Sequence, residues 1–164
     1  MEIRPVRPEE YERLGAITVN AYRVLDGHVV EPEYEAQLAD IGSRAEAPAT
    51  VVLAAVDDDD RVLGGVTYVR DRTSPMAEHV IDAAASIRML AVDPAAQGQG
   101  VGRRLTQACI ARARADGARV LVLHSTTWMT AAHRLYETLG FQRDPERDFT
   151  PVPRVQLMAF RLGL

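Results

Sequence analysis

The stretch that most constrains this chain is Gln97-Gly98-Gln99-Gly100-Val101-Gly102-Arg103-Arg104, where three glycines alternate with other residues directly ahead of an amphipathic run. Before it, Ser86 to Val92 reads as a strand that Pro94 ends. After it, Val101, Leu105, Ala108, Cys109 and Ala113 recur at helical spacing as far as Gly117. The order is therefore strand, glycine-rich turn (Ala95 to Gly102), helix. Glycines leave backbone N–H groups uncovered and the positive end of the helix dipole lies beside them, so the turn suits a phosphate-bearing group. A P-loop needs Lys and then Ser or Thr after its last glycine, and Arg103 and Arg104 stand there instead. A Rossmann turn needs G-x-G-x-x-G with an acid about twenty residues on. Here the spacing is G-x-G-x-G, and Val122 to His124 holds no acid.

The remaining chain, 164 residues in all, fits one domain over residues 1–164. Glu2 to Val6 reads as a short strand, and Pro8 opens a helix carrying Tyr11, Leu14, Ile17 and Ala21 on one face. Gly27 to Pro32 breaks the pattern, and Tyr34, Leu38 and Ile41 mark a second helix ending near Gly42. Val51 to Val56 and Val62 to Val69 flank Asp57 to Asp60 as an antiparallel hairpin with an acidic turn. The four aspartates lack the glycine and distal glutamate of a calcium loop and read as solvated turn residues. Arg72 to Ala85 is a connecting loop. Arg119 to Leu123 is an apolar strand, Thr130 to Leu139 a helix stopped by Gly140, and Val155 to Leu162 a last strand after Pro151 and Pro153.

The pattern Gln97-x-x-Gly100-x-Gly102 after Ile87-Arg88-Met89-Leu90-Ala91-Val92-Asp93-Pro94 resembles the acetyl-CoA pyrophosphate loop of the GNAT superfamily of N-acetyltransferases. Ala132-His133-Arg134-Leu135-Tyr136-Glu137-Thr138-Leu139-Gly140-Phe141 resembles that family's last helix and the strand after it. Together they cover roughly Val51 to Arg143. The resemblance implies an α/β fold, a mixed, splayed sheet of six or seven strands flanked by about four helices. It implies acetyl-CoA as cosubstrate and direct transfer of its acetyl group to a primary amine of a small molecule or peptide. By the same resemblance, the backbone of Leu90, Ala91 and Val92 pairs with the pantetheine arm. The loop amides from Gln97 through Gly98, Gln99, Gly100 and Val101 to Gly102 cradle the pyrophosphate, and Arg103 or Arg104 adds charge. Tyr136 protonates or hydrogen-bonds the departing sulfur, a phenol of pKa ~10 serving a thiolate of pKa ~8.5. His133, one turn earlier on the same face, reaches the cofactor. Met129 stands where many members carry Asn, so Thr130 or the backbone takes over that pantetheine contact. Trp128 and Met129 wall the thioester pocket or belong to the core.

Amine acceptors arrive protonated, and neutralising one of pKa ~10.4 near pH 7 costs roughly 4 to 5 kcal/mol. The family often supplies a carboxylate on the strand before the glycine turn, but the matching residues are Ala85-Ser86-Ile87. Other bases in the sequence are Glu31, Glu33, His28, His79 and His124. The absent acid and Met129 leave a non-catalytic acyl-CoA-binding sensor open as the alternative. Cys109, mid-helix among apolar residues, reads as a buried inert thiol, so no acetyl-enzyme is expected.

A formal charge of −4 disfavours nucleic acid and anionic membranes as partners. The four histidines show no zinc spacing, so no metal is expected. Charged Met1 to Pro8, the lack of ~18 consecutive apolar residues and a single cysteine suit a cytoplasmic protein. A homodimer stays open. The acceptor is expected between the first two helices, the central loop and the tail.

Overall fold

A computed structural model describes residues 1–23, 31–153 and 155–164. Its elements, in chain order, are β1 (Glu2–Pro5), α1 (Tyr11–Arg23), α2 (Pro32–Ala39), α3 (Ile41–Glu46), β2 (Thr50–Val56), β3 (Val62–Val69), β4 (Ala84–Val92), α4 (Val101–Ala115), β5 (Val120–Thr126), α5 (Thr130–Thr138), β6 (Gln142–Arg143), β7 (Phe149–Val152) and β8 (Val155–Gly163). The strands form one sheet in the order β1-β2-β3-β4-β5-β8-β6, with β7 also paired to β8. β4 and β5 run parallel and the other pairs antiparallel. The mixed α/β architecture expected from the sequence is present; among the described residues it has eight strands where six or seven were expected and five α-helices where about four were.

Each difference has a local cause. β6 and β7 hold two and four residues and take their order from pairing with β8, so residues 142–152 carry little periodicity of their own. The helix expected across Ile41 divides at Asp40, whose carboxylate accepts the Ser43 N–H at 3.0 Å and so caps a new helix, α3.

The sheet separates two cores, and period-2 alternation assigns side chains to each. Leu53 and Ala55 of β2 face one side, with Leu105, Cys109 and Ala113 of α4 and Tyr136 of α5. Val52, Ala54 and Val56 face the other, with Leu14 and Ile17 of α1 and Ile41 of α3. Thus α4 and α5 cover one face, and α1 and α3 the other.

The acidic turn is more than solvated. Asp57 accepts the Asp59 and Arg61 amides at 2.9 Å each, and Asp60 pairs with Arg4 at 3.0 Å and Arg7 at 2.9 Å.

Candidate active site

β4 and β5 share four rungs, from Ala84 opposite Val120 to Ile87 opposite Leu123, and then part. β4 continues to Val92 along β3, and β5 to Thr126 along β8. At the parting point β4 carries one residue more than β3: Thr67 faces Arg88, and Gly65 faces Ala91. This is a β-bulge, and Met89 within it has φ +52°, a conformation that costs a non-glycine residue about 1–2 kcal/mol. The buried Arg44 of α3 holds it, donating to the Met89 sulfur at 2.8 Å and to the Gln37 and Leu38 carbonyls at 2.7 and 3.2 Å. Beyond the bulge, the β5-facing edge of β4, including Leu90, Ala91 and Val92, has no strand partner among the described residues.

The glycine turn lies at the end of this open edge. Gly98 and Gly100 both have φ +78°, a region that glycine enters without penalty. A Cβ built on either would meet nothing within 4 Å, so conformation rather than crowding requires glycine, and the turn faces open space. The N–H groups of Gly98, Gly100, Val101, Gly102 and Arg103 have no acceptor among the described residues. Those of Gln97 and Gln99 are turned inward, to the Pro94 and Ala96 carbonyls at 3.3 and 3.4 Å. No acidic residue occupies the first turn of α4 to offset its positive end. Arg103 donates to Thr138 Oγ1 at 2.8 Å, joining the start of α4 to the end of α5. A Cβ on Gly102 would stand 3.4 Å from Leu135 Cδ2 and 3.7 Å from Val92 Cγ2, so α4, α5 and the end of β4 meet here.

On α5, the Tyr136 ring lies 5.6 Å from Phe141 and 6.0 Å from Phe160 and is 5% exposed. Its hydroxyl has no hydrogen-bond partner among the described residues, yet it is not sealed from solvent. Burial raises the phenol's pKa well above its ordinary value, so it carries its proton throughout the neutral range. His133 Nε2 lies 3.2 Å from Ser125 Oγ, and its ring stacks at a tilt 5.0 Å from Phe160. Burial lowers its pKa, so it ties α5 to β5 as a neutral ring. Thr130 is exposed at the first position of α5. Thr126, four residues earlier, holds a buried hydroxyl with no partner among the described residues.

A cleft opens where β4 and β5 part, on the side of α1 and α2. Tyr22 and Tyr34, edge to face at 6.1 Å, form one wall, and Met89, Met129 and Leu157 supply apolar lining. Burial, then the neighbouring Tyr34 and Tyr136 phenols, raises the pKa of Tyr22. The charged lining is Glu78, Arg88 and His124. Of the bases read from the sequence, His124 is in this cleft. Glu31 and Glu33 are exposed at the start of α2, outside the lining. His79 is outside it too, its Nδ1 accepting the Ile81 N–H at 3.3 Å; burial, and secondarily His124, lowers its pKa. His28 falls outside the described residues. The sequence reading missed Tyr22, Glu78 and Arg88, because nothing at a helix end, in an aperiodic loop or at one position of an apolar strand marks a residue as cleft-lining. Cys109 is buried and its thiol is pushed up to about 12 by burial, which leaves it unreactive. Among the described residues no group of His, Cys, Asp and Glu could hold a metal ion, and no helix is long and apolar enough to cross a membrane.

Residues 11–141 match the Acetyltransferase (GNAT) family, and the chain belongs to it. A mycothiol acetyltransferase of Renibacterium salmoninarum is 33% identical over 112 residues, 66% of this chain and 32% of that protein. The match spans between 17% and 40% of the length of the curated mycothiol acetyltransferases it resembles, 32% in the first of them. Among solved structures, a GCN5-related N-acetyltransferase from Kribbella flavida is 25% identical with a TM-score of 0.76, covering 99% of this chain and 97% of that one. An acetyltransferase from Salmonella typhimurium, solved with its cofactor acetyl-CoA, shares the fold at 22% identity and a TM-score of 0.69, covering 99% and 93%. The family takes acetyl-CoA as cosubstrate and acetylates an amine acceptor. The residues present fit such a group: five amides with no acceptor among the described residues, at a helix N-terminus without an acidic residue in its first turn and facing open space, suit a pyrophosphate.

Proposed function

We propose that this chain, folded as a single domain over residues 1–164, transfers the acetyl group of acetyl-CoA to a primary amine of a small molecule or peptide by direct attack in the gap between β4 and β5. The observation that carries the reading is that the amides of Gly98, Gly100, Val101, Gly102 and Arg103 have no acceptor among the described residues and face open space at the end of a β4 edge that has no strand partner among them.

In this reading the amides of Gly98, Gly100, Val101, Gly102 and Arg103 bind the pyrophosphate, while Gln97 and Gln99 shape the turn by closing it on Pro94 and Ala96. The open edge at Leu90, Ala91 and Val92 pairs with the pantetheine amides and orients the thioester. Acetyl-CoA supplies the activated acyl group. The buried Thr126 hydroxyl, without a partner among the described residues, suits the polar contact that Asn makes in many family members better than exposed Thr130 does. Tyr136, its ring set between Phe141 and Phe160, holds its proton and gives it to the departing sulfur. His133 steadies the start of α5 against Ser125. The acceptor enters past Tyr22 and Tyr34. A lone, buried cysteine is compatible with a reducing cytosol as the working compartment.

The alternative of a non-catalytic acyl-CoA sensor gives no purpose to a cleft that gathers Glu78, Arg88 and His124 where β4 and β5 part, or to a tyrosine hydroxyl, Tyr136, with no hydrogen-bond partner among the described residues. Calorimetry with CoA, followed by thiol release from acetyl-CoA across a panel of primary amines, separates the two. Binding with turnover supports the transferase; binding without thiol release from any amine supports the sensor; no binding overturns both.

A further inference from the structure

Ile87 and Leu123 form the last rung between β4 and β5, and both face the α4 core. Arg88 and His124 come next on each strand, so alternation turns both toward the opposite face, where α1 and α2 lie. Glu78, from the loop before β4, spans the two: its carboxylate is 2.7 Å from Arg88 and 3.9 Å from His124 Nδ1. His124 Nε2 lies 3.2 Å from the Arg147 carbonyl, which can only accept, so Nε2 carries the proton and the neutral ring's lone pair is on Nδ1. The Phe149 ring packs edge-on at 4.9 Å and holds the imidazole in place. Two acceptor atoms 3.9 Å apart, Glu78 Oε2 and His124 Nδ1, have no proton to share. One ammonium nitrogen can stand about 2.8 Å from both.

We propose that Glu78 Oε2 and His124 Nδ1 together seat the acceptor's ammonium and that His124 is the catalytic base, with Arg88 as a positioning residue for Glu78. This rests on the acetyltransferase reading above. His124 takes one proton from R–NH3+. The electron pair thus freed on nitrogen forms the C–N bond, the C–S bond breaks with its pair on sulfur, and Tyr136 protonates that sulfur. The nitrogen's surplus proton returns to Tyr136 through solvent, and His124 releases its own, so the sum is R–NH3+ plus acetyl-CoA giving amide, CoA–SH and H+. The site therefore takes aliphatic primary amines in their protonated form, the carboxylate matching the incoming charge. The other titratable groups around the imidazole are His79, Asp148, which is paired with Arg143, and the Tyr22 and Tyr34 phenols of α1 and α2.

The test uses the full chain with saturating acetyl-CoA. Ethanolamine, glycinamide, lysine, glucosamine and alanyl-alanine serve as acceptors, and the His124 ring is followed by NMR of histidine-labelled protein, assigned by its loss in His124→Gln. His124→Gln should bind CoA as the wild type does, lose at least about 100-fold in kcat, and lose the one-proton acid limb of the kcat profile. Glu78→Gln, which keeps the shape but removes the charge, should move the titration of the His124 signal and the acid limb of the kcat profile together to lower pH and raise the amine KM. A purely structural His124 would leave the limb in place. The proposal is overturned if His124→Gln keeps kcat within about threefold with its limb intact, if Glu78→Gln leaves the His124 titration unmoved, or if CoA binds and none of the five amines releases thiol. Failure of the wild type to bind CoA would sink the acetyltransferase reading instead, and the NMR titration still reports whether Glu78 acts on His124.

Discussion

Replacing Tyr136 by Phe separates catalysis from folding. The ring's contacts with Phe141 and Phe160 survive the change, so no cavity forms. The hydroxyl makes no hydrogen bond among the described residues, so its removal breaks none. Dropping a polar atom that folding strips of most of its water without giving it a partner should leave stability unchanged or raise it by up to about 1 kcal/mol. For a chain of this size that is a rise in Tm of no more than about 4 °C. Loss of the acid should lower kcat by about 100-fold or more while CoA affinity stays the same. Tyr136→Ala, by contrast, should cost about 3–5 kcal/mol through the lost ring. Thermal melting and thiol release measured with a chromogenic disulfide give both numbers on one preparation. A Phe variant that keeps kcat within threefold, or that loses more than about 1 kcal/mol, would show that the hydroxyl serves the fold and not the sulfur.

Gly100→Ala should cost about 1–2 kcal/mol, because φ +78° is strained for an L side chain while the Cβ itself meets nothing, and CoA should bind at least about tenfold more weakly as the turn relaxes; scanning calorimetry and CoA titration measure the two effects. The Cys109 thiol should resist a chromogenic disulfide at pH 8 in the native protein and react fully once unfolded. Because its pKa is raised by folding from 9.0 to about 12, the stability it contributes is complete below pH 9 and declines as pH rises toward 12, a loss that Cys109→Ala should lessen in urea titrations. Glu10 accepts from Arg4 at 2.7 and 3.0 Å and from the Arg7 amide at 2.8 Å, so Glu10→Gln should cost about 1–3 kcal/mol. Arg4 holds the Glu10 pKa below its ordinary 4.5, so this stability is present above that value and lost as pH falls through the lowered one; the variant's melting temperature should depend less on pH in that range.

What the sequence made legible follows the range of the forces involved. The strand, glycine turn and helix from β4 to α4 were readable because each depends on nearby residues: Pro94 ends the strand, Gly98 and Gly100 supply positive φ, and Val101, Leu105 and Cys109 mark one helix face. Asp40 was harder, since a cap within an otherwise helical pattern competes with continuation and only the Ser43 contact decides it. β6 was expected only through the resemblance of the residues ending at Phe141, and β7 carried no signal of its own, because pairing with β8 creates both. In the site, the loop was found but not the fate of each donor: alternate amides point to solvent and into the turn, which spacing does not reveal. Glu78 and Arg88 carried no signal, because their meeting with His124 depends on where two strands separate.

That separation and the bulge beside it arrange both halves of the site. Ala85 and Ile87 face α4, and strict alternation would put Ala91 there as well and turn Leu90 and Val92 toward α1. The extra residue at Met89 reverses this, so that Leu90 and Val92 pack on the α4 side while Ala91 faces α1. Val92 is thereby brought against Gly102, at the foot of the glycine turn, and Arg88, ahead of the bulge, keeps its orientation toward Glu78. A straight β4 would satisfy one requirement at the expense of the other. The positive φ at Met89 and the burial of Arg44 without a carboxylate partner among the described residues are both costs in stability, and each falls on the residue that holds β4 in this shape. The strain thus sits where the cofactor edge and the acceptor cleft meet, as expected if the bulge was kept for the reaction and not for the fold.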